Sequence, residues 1–168
     1  EAMRRFGHDA PDLRFGMELT DLSDSLRDTD FAPFADTLAA GGEVKCIVVK
    51  GRADYSRKQT DELQEFVKRY GAGAMAWIKL GNEMTSSLLK VLGEAKISEL
   101  ASVAGAEKGD AVLIVAGKRS VVAAALGALR NEVARRENLI DRNKYEPLIV
   151  TEFPMFEHDE ETDRYMAA

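Results

Sequence analysis

"SRKQTDELQEFVKRYGAGAMAWIKL" (Ser56–Leu80) carries two hydrophobic periods in succession. In its first half, Leu63, Phe66, Val67 and Tyr70 recur at i, i+3, i+4 and i+7, the spacing of one helix face. Ser56 and Gln59 stand at capping-box spacing in front, and Gly71 supplies the stop. Lys58 with Glu62 and Glu65 with Arg69 are i,i+4 pairs on a solvated face, worth only about 0.2–0.5 kcal/mol each. Beyond the glycines, Ala74–Leu80 is a strand.

Upstream, "FAPFADTLAAGGEVKCIVVKG" offers two apolar stretches around "AGGE", a hairpin signal. In its second arm Val44, Cys46 and Val48 share one face, and Ile47 and Val49 share the other with Lys45. "EAMRRFG" reads as a last helical turn closed by Gly7, and "TDLSDSL" as a short helix capped by Thr20 or Asp21. Downstream lie two short helical pieces, with Leu88, Leu89 and Leu92 and then Ile97, Leu100 and Ala101. A strand follows at Asp110–Gly117, then a helix from about Lys118 to Glu137 with Val122, Leu126, Leu129 and Val133 inward. "PLIVTEF" after Pro147 reads as a last, continuous apolar strand. The central order is strand, strand, helix, strand, strand, helix. It predicts an α+β fold, an antiparallel sheet with helices packed on one face.

Composition narrows the function classes. The 168 residues are 45% hydrophobic and 31% charged, which suits one globular core. A net charge of −6 argues against a broad nucleic-acid surface. The single cysteine, Cys46, forms no intrachain disulfide and suits a reducing compartment. "AVLIVAG" and "VVAAALGAL" fall short of the roughly 20 apolar residues that span a bilayer, and no secretory signal is expected. With Glu1 at the start and Ala167-Ala168 at the finish, both termini are expected to be cut ends.

Four groups carry candidate chemistry. "GAGAMA" (Gly71–Ala76) matches a loose dinucleotide fingerprint, but that motif needs a strand before its glycines and a helix after. Here the order is reversed, so the glycines are expected to cap the helix. Cys46 alternates with apolar residues, far in sequence from His8 and His158, and is expected to be core. Glu157, His158, Asp159, Glu160 and Glu161 are adjacent, whereas metal ligands must converge at about 2 Å, so a solvated acidic loop is expected. Lys118, Arg119, Arg130, Arg135 and Arg136 give the last long helix a basic side, either simply wet or brushing an RNA backbone.

The flanks add a resemblance. "AMRRFGHDAPDLRFGMEL" resembles the segment of bacterial-type aspartyl-tRNA synthetases that reads A-M-R-R-Y-G-S-D-K-P-D-L-R-F-G-M-E-L, departing at Phe6, His8 and Ala10. "FPMFEHDEE" is similar to that family's F-P-M/L-F-E with its acidic stretch. Between them, "SRKQTDELQEFVKRYGAGAMAWIKL" and "GDAVLIVAGKRSVVAAALGALR" resemble the family's middle, in the same order.

The resemblance implies a GAD insertion domain at residues 21–143, flanked by pieces of a class II catalytic domain at 1–20 and 144–168. It implies a parent aspartate–tRNA ligase, a cytoplasmic homodimer that uses ATP and magnesium to activate L-aspartate and transfers it to tRNA. The family's ATP, aspartate and magnesium motifs have no counterpart here. No catalytic, cofactor-binding or metal residue is therefore assigned, no cofactor is expected in this stretch, and the chain alone is expected to be inactive. No membrane association is expected, and RNA contact by this stretch would be weak. The alternative is a stand-alone α+β module binding a small ligand or RNA.

Overall fold

The computed structural model describes residues 1–149, 151, 155–159 and 163–167. Helix α1 (Ala2–Phe6) ends at Gly7, whose φ of 66° lets its N–H reach back to the Met3 carbonyl. Strand β1 (Thr20–Asp21) and a 3-10 turn (Asp24–Leu26) lead to helix α2 (Ala32–Ala39) and strand β2 (Glu43–Val49). Helix α3 (Arg57–Lys68) precedes the strands β3 (Met75–Leu80) and β4 (Met84–Ser86). Helix α4 (Leu89–Val103), strand β5 (Ala111–Gly117) and helix α5 (Arg119–Arg136) complete the body, and β6 (Phe156–Asp159) pairs with β7 (Arg164–Ala167).

Strands β1 to β5 form one sheet in the order β1-β2-β5-β3-β4, every neighbour antiparallel. Its centre is β5, matched to β2 from Glu43↔Gly117 to Val49↔Ala111 and to β3 from Met75↔Val115 to Lys79↔Ala111. Paired on both edges, Ala111–Val115 are also buried on both faces, which is why the run is apolar without alternation.

One face carries Ile47, Val49, Met75, Leu113 and Val115 against Leu63 and Val67 of α3 and Val122, Leu126, Leu129 and Val133 of α5. The long helices stack there as expected. The other face carries Val44, Cys46, Ile78, Val112 and Ile114, covered by Leu26, Phe34 of α2, and Ile97 and Leu100 of α4. Helices thus flank both faces of the sheet. The two short pieces expected between β3 and β5 are α4 itself, broken at Gly93, whose φ is 78°.

Three local expectations give way. The first arm of the supposed hairpin is α2, with Pro33 in its first turn and Ala and Leu supplying helix propensity, so "AGGE" joins a helix to a strand. Thr20 and Asp21 do not cap a helix; they pair with Cys46 and Lys45 as a short sheet edge. Pro147–Ile149 and Thr151 lie outside any strand, while Val150, Glu152 and Phe153 of the expected last strand lie outside the described residues.

Candidate functional site

The most elaborate side-chain arrangement lies where the N-terminal segment crosses α5. Helical spacing puts Arg130 one turn after Leu126 and one turn before Val133, and so toward the core, where it is 0% exposed. Its Nη2 donates to the carbonyls of Asp12 at 2.8 Å and Gly16 at 2.6 Å, and its Nε donates to that of Met17 at 3.3 Å. The guanidinium carbon sits 5.1 Å from the Phe6 ring centroid and 4.5 Å from that of Phe15. Gly16 and Met17 both have positive φ, 62° and 59°, and the carbonyls of both accept from Arg130. A non-glycine residue at such a φ costs about 1 kcal/mol or more, which these charge-assisted bonds offset.

Burial pushes the Arg130 guanidinium below its ordinary pKa, with the charges of Asp12 and Glu18 opposing, and arginine stays ionised. Its Nη1 is buried without a hydrogen-bond partner among the described residues, where the two rings face the remainder of the cation.

Beside Arg130 the backbones of α1 and α5 touch. A Cβ on Gly127 would meet the Gly7 carbonyl oxygen at 2.4 Å, and one on Gly7 would meet the Ala123 carbonyl oxygen at 2.2 Å. Only glycine fits at either position. Leu19 N–H then donates to the Arg5 carbonyl at 2.7 Å, and the Arg5 guanidinium pairs with Glu18. Next to this crossing lies an open groove of about 1070 Å³. Its walls include Met3, Phe6, Leu13 and Tyr70, and Leu148 and Ile149 of the C-terminal segment lie along it. Segments from both sides of the domain, within residues 1–13 and at 148–149, thus line one side of α5.

The sequence candidates fall as follows. The Gly71–Ala76 loop sits after the C-terminal end of α3 and leads into β3, so carbonyl groups rather than N–H groups face it. That polarity does not fit a phosphate. Cys46 is 0% exposed between sheet and helices, and burial pushes its thiol up to about 12. Glu157, His158 and Asp159 fall on β6, while Glu160 and Glu161 lie outside the described residues. Among the described residues no three His, Cys, Asp or Glu side chains are grouped to hold a metal ion.

The expected basic side of α5 is only partly there. Arg130 is not on it, and Arg135 and Arg136 both pair with the buried carboxylate of Glu132, Arg136 also reaching Glu62 at 3.2 Å. A second groove, between α3 and α5, has Arg57, Lys58, Arg69, Arg135 and Arg136 on its walls, but Asp61, Glu62, Glu65 and Glu132 share them. Near-balanced charge makes a poor track for a phosphate backbone. The clamp built by Gly127 and Arg130 was missed, although a glycine in mid-helix followed by an arginine at an inward position is a sign of close contact.

Comparison with known proteins is informative along the whole chain. The family model for the GAD domain matches residues 34–126. The chain is 51% identical over 168 residues to an aspartate–tRNA(Asp/Asn) ligase of Caldanaerobacter subterraneus subsp. tengcongensis, covering 99% of this chain and 28% of the relative. It is 49% identical to a ligase of the same name from Heliobacterium modesticaldum, again over 99% of this chain and 28% of the relative. To an aspartate–tRNA ligase of Macrococcus caseolyticus it is 48% identical, over 100% of this chain and 29% of that protein. The chain therefore spans a little over a quarter of the length of the curated relatives it matches. No helix among the described residues is long and apolar enough to cross a membrane.

Proposed function

The chain belongs to the GAD domain family, and from that premise we propose that it is the GAD-bearing portion of an aspartate–tRNA ligase, a class II aminoacyl-tRNA synthetase. The observation that carries this reading is the match of 46–51% identity to aspartate–tRNA ligases over 99% of the chain, flanks included. A GAD domain borrowed by an unrelated protein would match in its middle and diverge outside residues 34–126.

In this reading residues 21–143 are the insertion, and residues 1–20 and 144–168 belong to the catalytic domain it interrupts. The complete polypeptide activates L-aspartate with ATP and magnesium and transfers it to tRNA, as a cytoplasmic homodimer. In this reading the chain contributes no catalytic residue, and the reversed polarity of the Gly71–Ala76 loop supports placing the nucleotide elsewhere. Relatives named for aspartate tRNA alone and for aspartate and asparagine tRNA match about equally well, so similarity here does not separate the two ranges.

The test is aspartate-dependent exchange of pyrophosphate into ATP. The complete polypeptide is expected to support exchange and to charge tRNA, while the 168-residue chain alone does neither. A complete polypeptide inactive with aspartate would end the ligase reading; turnover by the isolated chain would end the placement of its active site elsewhere. Binding of the isolated chain to tRNA is expected to be weak and to fall steeply with salt, given a net charge of −6.

A further inference from the structure

We propose that the face of α5 built by Gly127 and Arg130 is a rigid joint, with Arg130 as its positioning residue. The joint holds residues 1–19 at one angle on the domain, so that the domain is carried as a stiff extension of the chain before it. The partner of this surface is the polypeptide's own inbound segment. The proposal rests on the reading above only in supposing that more chain precedes Glu1.

Four contacts of different kinds converge on the joint. The Gly7–Gly127 approach brings main chain against main chain with no side chain between, which leaves little room for rocking. Arg130 gathers three carbonyls from a loop six residues long, Asp12 to Met17, and closes them against two aromatic rings. The Leu19 N–H to Arg5 carbonyl bond ties the end of the segment to its beginning. Lys45, only 6% exposed on β2, reaches the Arg4 carbonyl at 3.5 Å, so the sheet also holds α1.

The outbound side is built differently. From Asp141 to Ile149 every residue is exposed and none is in a helix or strand. Within this chain the firm contacts on the domain are thus made by the inbound segment, while Leu148 and Ile149 only line the open groove. That asymmetry is what distinguishes a joint from ordinary packing of both flanks.

Paired spin labels on the 168-residue chain test this without requiring any activity. Arg4→Cys and Lys90→Cys place labels at exposed positions of α1 and α4, and Cys46, 0% exposed, stays unlabelled. The expected result is one narrow distance distribution in the parent chain and a broad one in R130M and R130K, because lysine keeps the charge but not the planar fork. Amide exchange at Leu19 should accelerate on the order of tenfold or more in R130M, as its bond to Arg5 loosens. A folded R130M with the narrow distribution and unchanged Leu19 exchange would overturn the proposal. Should R130M not fold, F15L leaves the three Arg130 bonds in place and removes one ring. It is expected to speed Leu19 exchange several-fold, and no change there would equally refute the joint. Either failure leaves the ligase reading untouched, since neither measurement involves aspartate, ATP or tRNA.

Discussion

Asp110 shows how one side chain closes a sheet end. It is 4% exposed, and its carboxylate accepts from the N–H of Gly51 at 3.0 Å, from the N–H of Glu107 at 2.8 Å and from Lys50 Nζ at 2.8 Å. Burial alone would raise its pKa, but the Lys50 bond and the two backbone donors together hold it below the ordinary 3.8. A carboxyl depressed in the folded state contributes stability that is present above its unfolded pKa and lost as pH falls through the folded one. The acid limb of the stability curve below about pH 3.8 should thus contain a contribution from Asp110, and D110N should flatten it. At neutral pH the same variant should cost about 2 kcal/mol, since its amide nitrogen opposes a donor. Urea titrations at several pH values check both; an acid limb of unchanged slope in D110N would refute the assignment. Cys46 gives a simpler expectation. Buried and with its thiol pushed up to about 12, it should resist a maleimide in the native chain and react once the chain is unfolded. Prompt native labelling would mean that the α2–α4 side of the sheet opens.

Among the elements, legibility followed local determinism. Helix α3 was readable because everything that makes it is within its own residues. Gln59 N–H donates to Ser56 Oγ at 3.2 Å and Ser56 N–H donates to Gln59 Oε1 at 2.9 Å, while Leu63 and Val67 turn inward. S56A should therefore cost about 1 kcal/mol, read as a lower denaturation midpoint at constant m-value. A change within error would mean that Thr60, whose hydroxyl already bonds the Ser56 carbonyl, holds the helix start by itself. Helix α2 is less clear-cut: Pro33 and its alanines favour a helix, but Phe31, Phe34 and Leu38 suit a strand as well, and packing of Phe34 on the sheet decides between them. The strand β1 has two residues and exists only through β2. Arg130 belongs on a basic face only if charge is equated with solvent. Its position between Leu126 and Val133 on the helix already argued for the core, but the carbonyl cage and rings that make burial tolerable come from a segment over a hundred residues earlier. The clamp was visible in the sequence as a place, not as a contact.

For the whole molecule, the uneven treatment of its two ends has a consequence that can be measured. The β6–β7 hairpin has four paired positions and joins no larger sheet among the described residues. Met155, Phe156, Tyr165 and Met166 are 56–78% exposed, and Tyr145 and Ile149 are more exposed still. A lone two-stranded hairpin is marginal in water, and exposed strands of this kind template pairing with another chain. At about 25 cal/mol per Å², hiding a few hundred Å² of such surface is worth several kcal/mol before the cost of association. The body of the domain offers a weaker incentive, because most of its large apolar residues are buried on the two faces of the sheet and its exposed ones, such as Val91, Val103 and Leu139, stand at 42–56%. The isolated chain should consequently self-associate through its C-terminal segment, and a chain ending at Asn143 should be monomeric over the same concentration range. Light scattering on both decides the matter. Dimers of equal affinity in the two would place the contact on the domain body, with the open groove beside α1 and Tyr70 as the next surface to examine by substitution.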